Sequence, residues 1–130
     1  MATLSIRNLT RTAIPKLPYE RMKEYALSKR YSLSLVFIGD KRSQKLNKTH
    51  KHKDAPASVL AFPLAPESGE IFLNFTRARK RARMLRTSPT QATAYLFIHA
   101  LLHLNGHTHG GTMDRAEKTM CKRFDIPYPQ

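Results

Sequence analysis

An almost wholly apolar stretch at residues 92–104 constrains this chain more than any other feature of its sequence. The stretch predicts a helix, and a helix that is apolar around most of its surface has to be buried by the rest of the fold. His99 and His103 interrupt it, four residues apart, so both imidazoles lie on one helix face. The fold must therefore surround this helix and still leave room beside two histidines. The apolar residues expected to form the buried wall are Tyr95, Leu96, Ile98, Leu101, Leu102 and Leu104.

The residues that follow this helix add a third histidine. Gly106 can end the helix in a left-handed turn, which would bring His109 back towards His99 and His103. Three neutral imidazoles with an open fourth position are typical of catalytic zinc. The spacing therefore predicts a metal site, most simply for zinc, with His99, His103 and His109 as ligands. Other divalent transition metals bind three histidines with overlapping geometry and stay open.

The same spacing matches the histidine pattern of the metzincin proteases, so we expect a zincin-like histidine helix at the metal site. Those proteases carry a glutamate directly after the first histidine as general base, whereas this chain has Ala100. A methyl group cannot accept a proton, so peptide hydrolysis by that mechanism is not expected. His107 is left outside the ligand set. Asp114 could orient a ligand, although capping of the last helix is the preferred interpretation.

The charge of the chain points to a polyanionic partner. Lys and Arg number 23 against 9 Asp and Glu, which gives a formal net charge of +14. Small domains usually carry a net charge of about 2–8, and nucleic acid is the commonest partner of a strongly basic one.

Cys121 is the only cysteine, so no internal disulfide is expected. No apolar run is long enough for a membrane span. We therefore expect a cytoplasmic protein that does not contact a membrane.

Periodicity along the chain predicts a single α+β domain over residues 1–130, with a small mixed four-stranded sheet and about five helices. The segment 63–69 is expected to be a loop or a wide hairpin. Asp40 is expected to cap the second helix, and Ser88 to cap a helix that begins at Pro89. The expected strands lie near residues 4–8, 31–38, 59–62 and 71–75. The first two expected helices lie near 19–29 and 40–48. From residue 76 onward the sequence has a helical pattern, which is interrupted near residues 88, 106, 110 and 127.

Two basic runs are candidates for RNA contact. Residues 76–86 hold six basic residues and no acidic one, and on a helix they would leave Met84 and Leu85 to pack inward. A solvated helix face is the alternative for any one of them. The run 48–53 adds three lysines and the histidines His50 and His52, which could also bind a second metal. The predicted RNA contacts are Lys48, Lys53, Arg77, Arg79, Lys80, Arg81, Arg83 and Arg86.

These motifs resemble one known family. Residues 99–109 resemble the H-G-x-L-H-L-x-G-Y-D-H signature of the YbeY-type rRNA maturation factors, which are metal-dependent single-strand endoribonucleases. Residues 46–63 are similar to the family's L-N-x-x-[YF]-R-x-K-D-x-P-T-D-V-L-S-F-P block. Residues 69–73 are similar to its G-D-I strand. The three blocks occur in the family's order.

The resemblance implies a function and roles for individual residues. His99, His103 and His109 fall on the family's zinc ligands, and Lys51 falls on its critical arginine, where it would hold the phosphate and act in catalysis. The implied activity is cleavage of single-stranded RNA in ribosomal RNA processing (16S rRNA 3′ end maturation) and ribosome quality control, with the small ribosomal subunit and its proteins as partners. The ammonium group of Lys51 is a compact point charge, whereas the guanidinium group of an arginine is planar and can donate two parallel hydrogen bonds to a phosphate. An RNA-binding assembly factor with structural zinc and little nuclease activity is therefore the alternative. Further departures are Ala57, Ser58, His107 and Thr108.

Overall fold

Four strands with alternating apolar side chains form one sheet in the computed structural model, which describes residues 3–106 and 110–128. The sheet order is β1-β2-β4-β3. The pairs β1–β2 and β2–β4 are parallel, whereas β3 and β4 are antiparallel, so the predicted mixed four-stranded sheet is confirmed. The strands are β1 (Leu4–Asn8), β2 (Ser32–Ile38), β3 (Val59–Ala65) and β4 (Ser68–Asn74).

Five helices connect and cover these strands, as predicted from the sequence. The cap at Ser88 is also confirmed, because its side chain accepts a hydrogen bond from the backbone N–H of Gln91 at 3.1 Å. No helix in the described ranges 3–106 and 110–128 has the length and apolar character that a membrane crossing needs. The helices are α1 (Tyr19–Ala26), α2 (Asp40–Lys51), α3 (Phe75–Met84), α4 (Pro89–Leu104) and α5 (Gly111–Arg123).

The core lies between one face of the sheet and four of the helices. Leu35 and Ile71 stand opposite each other on neighbouring strands and are fully buried together with residues of α1, α3, α4 and α5. Phe97 and Ile98 of α4 belong to the same cluster, which confirms that this helix is buried. None of the described residues of α2 belongs to this core, and α2 contacts β3 and β4 instead.

The first helix ends earlier than predicted because a buried lysine turns the chain. Lys23 is fully buried, and its ammonium donates to the carbonyl oxygens of Ser28 and Lys29 and to the hydroxyl of Thr3. The carbonyls that follow α1 are therefore bonded to a side chain rather than to further helical N–H groups. The helix stops at Ala26 instead of continuing to residue 29.

The segment 63–69 is not the predicted loop or wide hairpin. Strands β3 and β4 run through it and leave a turn of only Pro66 and Glu67. Pro63 has no N–H to donate, but β3 lies at the edge of the sheet, where a strand tolerates proline. A shift in pairing register between Pro63 and Ala65 absorbs the irregularity.

Two further predictions from local pattern are wrong. Asp40 does not cap α2, because Gly39 is the N-cap and the Asp40 carboxylate accepts hydrogen bonds from Nδ2 of Asn74 at 2.8 Å and Nε of Arg77 at 3.2 Å. Met84 and Leu85 do not pack inward, since they are 82% and 43% exposed. The buried residues of α3 are Phe75, Ala78 and Ala82, which share one helix face.

Candidate active site

The two histidines of α4 converge on one point. Their Nε2 atoms are 3.1 Å apart, and their ring centroids are 4.6 Å apart with the planes nearly perpendicular. His99 and His103 are half-buried on a helix whose neighbouring residues Ile98 and Leu102 are buried in the core. The helix therefore fixes both imidazoles, and the pair presents two ring nitrogens side by side.

This separation fits a bound metal ion. Zinc–nitrogen bonds of about 2.0–2.1 Å at the tetrahedral angle hold two ligand nitrogens about 3.3 Å apart. Gly106 has φ of +91°, so the predicted left-handed turn after α4 is present. His109 and His107 lie outside the described residues. Within residues 3–106 and 110–128 no group of three metal-binding side chains occurs, so the described site supplies two of the three predicted ligands.

A buried carboxylate on α5 holds the first histidine. Glu117 is only 2% exposed, and one of its oxygens is hydrogen-bonded to Nδ1 of His99. Its other oxygen accepts from the hydroxyl of Tyr95 at 2.8 Å. Metal-binding histidines commonly donate their second ring nitrogen to a carboxylate, which fixes the tautomer that leaves Nε2 for the metal. Burial and the bond to Glu117 raise the pKa of Tyr95, so its hydroxyl stays a donor.

Glu117 is the residue beside His99 that sequence reasoning missed. The sequence predicted that Asp114 caps the last helix or orients a ligand, but Gly110 is the N-cap of α5 and no described side chain bonds there. Asp114 is exposed. The sequence did contain a signal: Met113, Glu117 and Met120 share one helix face, so a carboxylate interrupts an otherwise apolar stripe.

The histidines open into a cleft of about 460 Å³ between α4 and the edge strand β3, which we call the histidine cleft. The C-terminal end of α2 and the loop after it form its other side. The described residues that line it include no acidic side chain. Its polar residues are Asn47, Lys51, Lys53, His99 and His103, and Ala100 lies between the histidines.

Two buried polar residues of α2 place the lysines at this cleft. Oγ of Ser43 donates to the carbonyl of Ala57 at 2.7 Å and accepts from its N–H at 2.8 Å. Nδ2 of Asn47 donates to the carbonyl of Ala55 at 2.8 Å. His52, with φ of +57°, adopts a left-handed conformation that reverses the chain after the helix. The loop is thereby fastened along α2, with Lys51 and Lys53 at the cleft.

The predicted RNA-binding residues have different surroundings in the fold. Lys53 lines the histidine cleft, whereas Lys48 lies exposed on α2 outside it. Arg77 and Lys80 approach the carboxylate of Asp40 at 3.2 and 3.9 Å. Arg79 lies beside the ring of Phe75, and Arg81 lies beside the ring of Tyr95. Arg83 is exposed on α3, and Arg86 lies just beyond the end of that helix.

The other candidate residues near Lys51 have contacts of their own. Nζ of Lys51 lies 5.9 Å from the ring centroid of Phe62, and the ring of His50 lies 4.9 Å from the same centroid. Phe62 therefore supports the end of α2 from the edge strand. The described residues give no second cluster of metal ligands around His50 and His52.

The chain is similar to known proteins over nearly its whole length. A family model described as Endoribonuclease YbeY matches residues 3–125. Endoribonuclease YbeY of Campylobacter jejuni (strain RM1221) is 35% identical in an alignment of 103 residues that covers 73% of this chain and 76% of the relative. Endoribonuclease YbeY of Halalkalibacterium halodurans is 30% identical in an alignment of 124 residues that covers 83% of this chain and 75% of the relative.

A solved structure has the same fold. The solution structure of TM1509 from Thermotoga maritima superposes with a TM-score of 0.66 over 93% of this chain and 88% of the other, at 18% sequence identity. That identity is too low to carry more than the fold, whereas the family model and the relatives identify the family. This chain belongs to the endoribonuclease YbeY family.

Proposed function

We propose that this chain is a zinc-dependent endoribonuclease specific for single-stranded RNA. The observation that carries the proposal is the 3.1 Å separation of the His99 and His103 ring nitrogens within a cleft that Lys51 and Lys53 also line. Its substrate would be ribosomal RNA, at the 3′ end of 16S rRNA and in ribosome quality control. The partners would then be the small ribosomal subunit and its proteins, and the location the cytoplasm.

The histidines and the residues behind them would hold the metal. His99 and His103 are in place to bind it through Nε2, and His109 is the proposed third ligand. Glu117 accepts from Nδ1 of His99 and so keeps that ring oriented. When bound, zinc supplies Lewis-acid chemistry, which polarises a phosphate oxygen and makes water more acidic.

The lysines of the histidine cleft would bind the scissile phosphate. Both lie within one cleft that has no described acidic residue, so their charge is not neutralised locally and attracts a phosphodiester. Lys51 stands where the family has arginine and is proposed to stabilise the negative charge that grows on the phosphate oxygens during cleavage. A lysine supplies charge but not the paired hydrogen bonds of a guanidinium.

The same lining argues against a peptidase. Metallopeptidases of this histidine spacing need a carboxylate general base beside the metal. Here Ala100 is fully buried at that place, and none of the described lining residues carries a carboxylate. Glu117 does not substitute, because both of its oxygens are already bonded to His99 and Tyr95. Cleavage of a phosphodiester by phosphate binding and polarisation is the chemistry that these residues support.

The decisive experiment is cleavage of a labelled single-stranded RNA by purified protein. We expect cleavage that stops on addition of a chelator, returns with added zinc, and is lost in a His103→Ala variant. A double-stranded RNA of the same sequence should resist cleavage. Equal cleavage by wild type, chelated protein and variant would indicate a contaminating nuclease and contradict the proposal.

Lys51 also motivates the second candidate function. With a point charge in place of the family's arginine, the chain could bind ribosomal RNA as an assembly factor, retain zinc for structure and have little nuclease activity. The same assay separates the two functions. RNA binding with full metal content and no cleavage would favour the assembly factor, whereas metal-dependent cleavage would favour the nuclease.

A further inference from the structure

A second cleft lies between α3, α4 and the C-terminal segment, and the ring of Tyr95 forms part of its lining. Its volume is about 340 Å³, within the range of ligand pockets. None of its described lining residues is acidic, and two are arginines. We call it the tyrosine cleft. Its polar and aromatic residues are Arg81, Arg86, Thr87, Gln91, Tyr95 and Tyr128.

Arg81 is held in this cleft with an unused donor. Its guanidinium carbon lies 5.2 Å from the centroid of the Tyr95 ring, so the side chain is packed on an aromatic surface. Its Nε is buried and has no hydrogen-bond partner among the described residues. A buried donor without an acceptor is unfavourable unless a ligand or water supplies one. An anion in the cleft would supply it.

The other walls favour a nucleotide over a simple anion. Arg86 provides a second guanidinium, and Arg side chains bind phosphate oxygens through paired hydrogen bonds. Tyr95 and Tyr128 meet edge to face with their centroids 6.1 Å apart, which gives the cleft an aromatic wall. Single-stranded RNA is commonly bound by stacking of bases on aromatic side chains beside arginines.

We infer that the tyrosine cleft binds one nucleotide of single-stranded RNA, with its phosphate on Arg81 and Arg86 and its base against Tyr128. The inference rests on the RNA substrate of the proposed function, but not on cleavage. Tyr95 joins the two clefts, because its ring lines the tyrosine cleft while its hydroxyl bonds to Glu117, which holds His99. An RNA strand bound at both clefts would be positioned relative to the histidines at two points.

The test is the binding of a fluorescently labelled single-stranded hexaribonucleotide in EDTA, measured by anisotropy. We expect Arg81→Gln and Arg86→Gln each to weaken binding about tenfold, since each removes charged hydrogen bonds to phosphate. Arg30→Gln, the same charge change at an exposed position that lines neither cleft, should alter binding about twofold at most. Thermal melting of each variant checks that the fold is retained.

Two further measurements distinguish a site that binds a nucleotide from a site that binds only phosphate. Tyr128→Leu should weaken binding of the hexaribonucleotide, and Tyr128→Phe should restore it, because phenylalanine keeps the stacking surface. Adenosine monophosphate should compete for the cleft more strongly than inorganic phosphate. Equal competition by the two, or equal losses in Arg81→Gln, Arg86→Gln and Arg30→Gln, would overturn the inference.

The outcomes for the two proposals are distinguishable. A chain that binds the hexaribonucleotide through Arg81 and Arg86 in EDTA, yet never cleaves RNA when zinc is restored, contradicts the nuclease and leaves the nucleotide site standing. The opposite outcome is zinc-dependent cleavage of RNA together with equal affinity of wild type and Arg81→Gln for the hexaribonucleotide. That outcome supports the nuclease and overturns the nucleotide site.

Discussion

Nδ1 of His99 donates to the carboxylate of Glu117, although the two residues lie on different helices. The pair ties the geometry of a proposed metal ligand to the docking of α5 on α4. It also gives a buried carboxylate two partners, since the second oxygen accepts from Tyr95. The first prediction concerns this pair.

Glu117→Gln should weaken zinc binding by roughly 10- to 100-fold, the range found when a hydrogen-bond partner of a ligating histidine is replaced. A glutamine has one acceptor oxygen for two donors, Nδ1 of His99 and the Tyr95 hydroxyl. Competition with a chromophoric chelator measures the affinity. Asp114→Asn, an exposed carboxylate on the same helix, is the matched control and should bind zinc as wild type does. Wild-type affinity in Glu117→Gln would show that the carboxylate does not orient the ligand.

Lys51→Ala should lower kcat/KM for single-stranded RNA on the order of 100-fold, because the charge that faces the phosphate is lost. Lys51→Arg should retain or exceed wild-type activity, since arginine adds paired hydrogen bonds to the same oxygens. Lys41→Ala, an exposed lysine at the start of α2, serves as the control. Steady-state cleavage kinetics measure kcat/KM for the three variants. Wild-type kcat/KM in Lys51→Ala would show that this residue does not contribute to cleavage.

Ser43→Ala should lower the free energy of unfolding by about 1–3 kcal/mol, because it leaves the N–H of Ala57 without its buried acceptor and the carbonyl of Ala57 with only the bond from Nδ2 of Asn74. The neighbouring exposed bond from Gln44 to Asp54 should matter far less, with Gln44→Ala within about 0.5 kcal/mol of wild type. Urea unfolding followed by circular dichroism gives both values. Similar losses in the two variants would mean that the buried bond is not what fastens the loop.

Stability should fall in acid partly through Asp40. The hydrogen bond from Asn74, then that from Arg77 and the charges of Arg77 and Lys80, hold the pKa of this carboxyl below its ordinary 3.8. A lowered pKa stabilises the fold above pH 3.8, and this stability is lost as the pH falls through the folded-state pKa. The carboxylate is 34% exposed, so the effect should stay below about 1 kcal/mol. Urea unfolding of wild type and Asp40→Asn between pH 7 and pH 3 should show a shallower acid loss in the variant, and parallel curves would contradict it.

Leu102→Asp should unfold the domain, because this side chain is only 5% exposed within the core and an unpaired charge there is very costly. Met84→Asp, at a position 82% exposed, should leave the free energy of unfolding within about 0.5 kcal/mol of wild type. Far-ultraviolet circular dichroism and thermal melting compare the two. A folded Leu102→Asp would show that α4 presents a different face to the core.

Features that depend on near neighbours in sequence were predictable. His99 and His103 lie four apart in one helix, so helical geometry alone brings their rings together. The Ser88 cap and the left-handed Gly106 follow from rules about helix ends. Lys51 was identified by the family resemblance, and the structure then places it in the histidine cleft with His99 and His103.

Features that depend on tertiary packing were not predictable in the same way. Glu117 reaches His99 only because α5 docks on α4, and Asp40 bonds to Asn74 and Arg77 across 34 and 37 residues of sequence. The basic block after residue 76 looked uniform, yet Asp40, Phe75 and Tyr95 each draw different members of it to different places. Ala78 and Ala82, rather than Met84 and Leu85, lie on the buried face of α3, and which face that is depends on how α3 packs on α4.

The histidine pair divides the site into a local part and an assembled part. His99 and His103 lie four residues apart in one helix, so the geometry of α4 alone brings their rings together. Lys51, Lys53 and Glu117 lie on other elements, so they reach the histidines only through the packing of the whole domain. A substitution that disturbs the packing of α2 or α5 would therefore change the surroundings of the two rings without separating them.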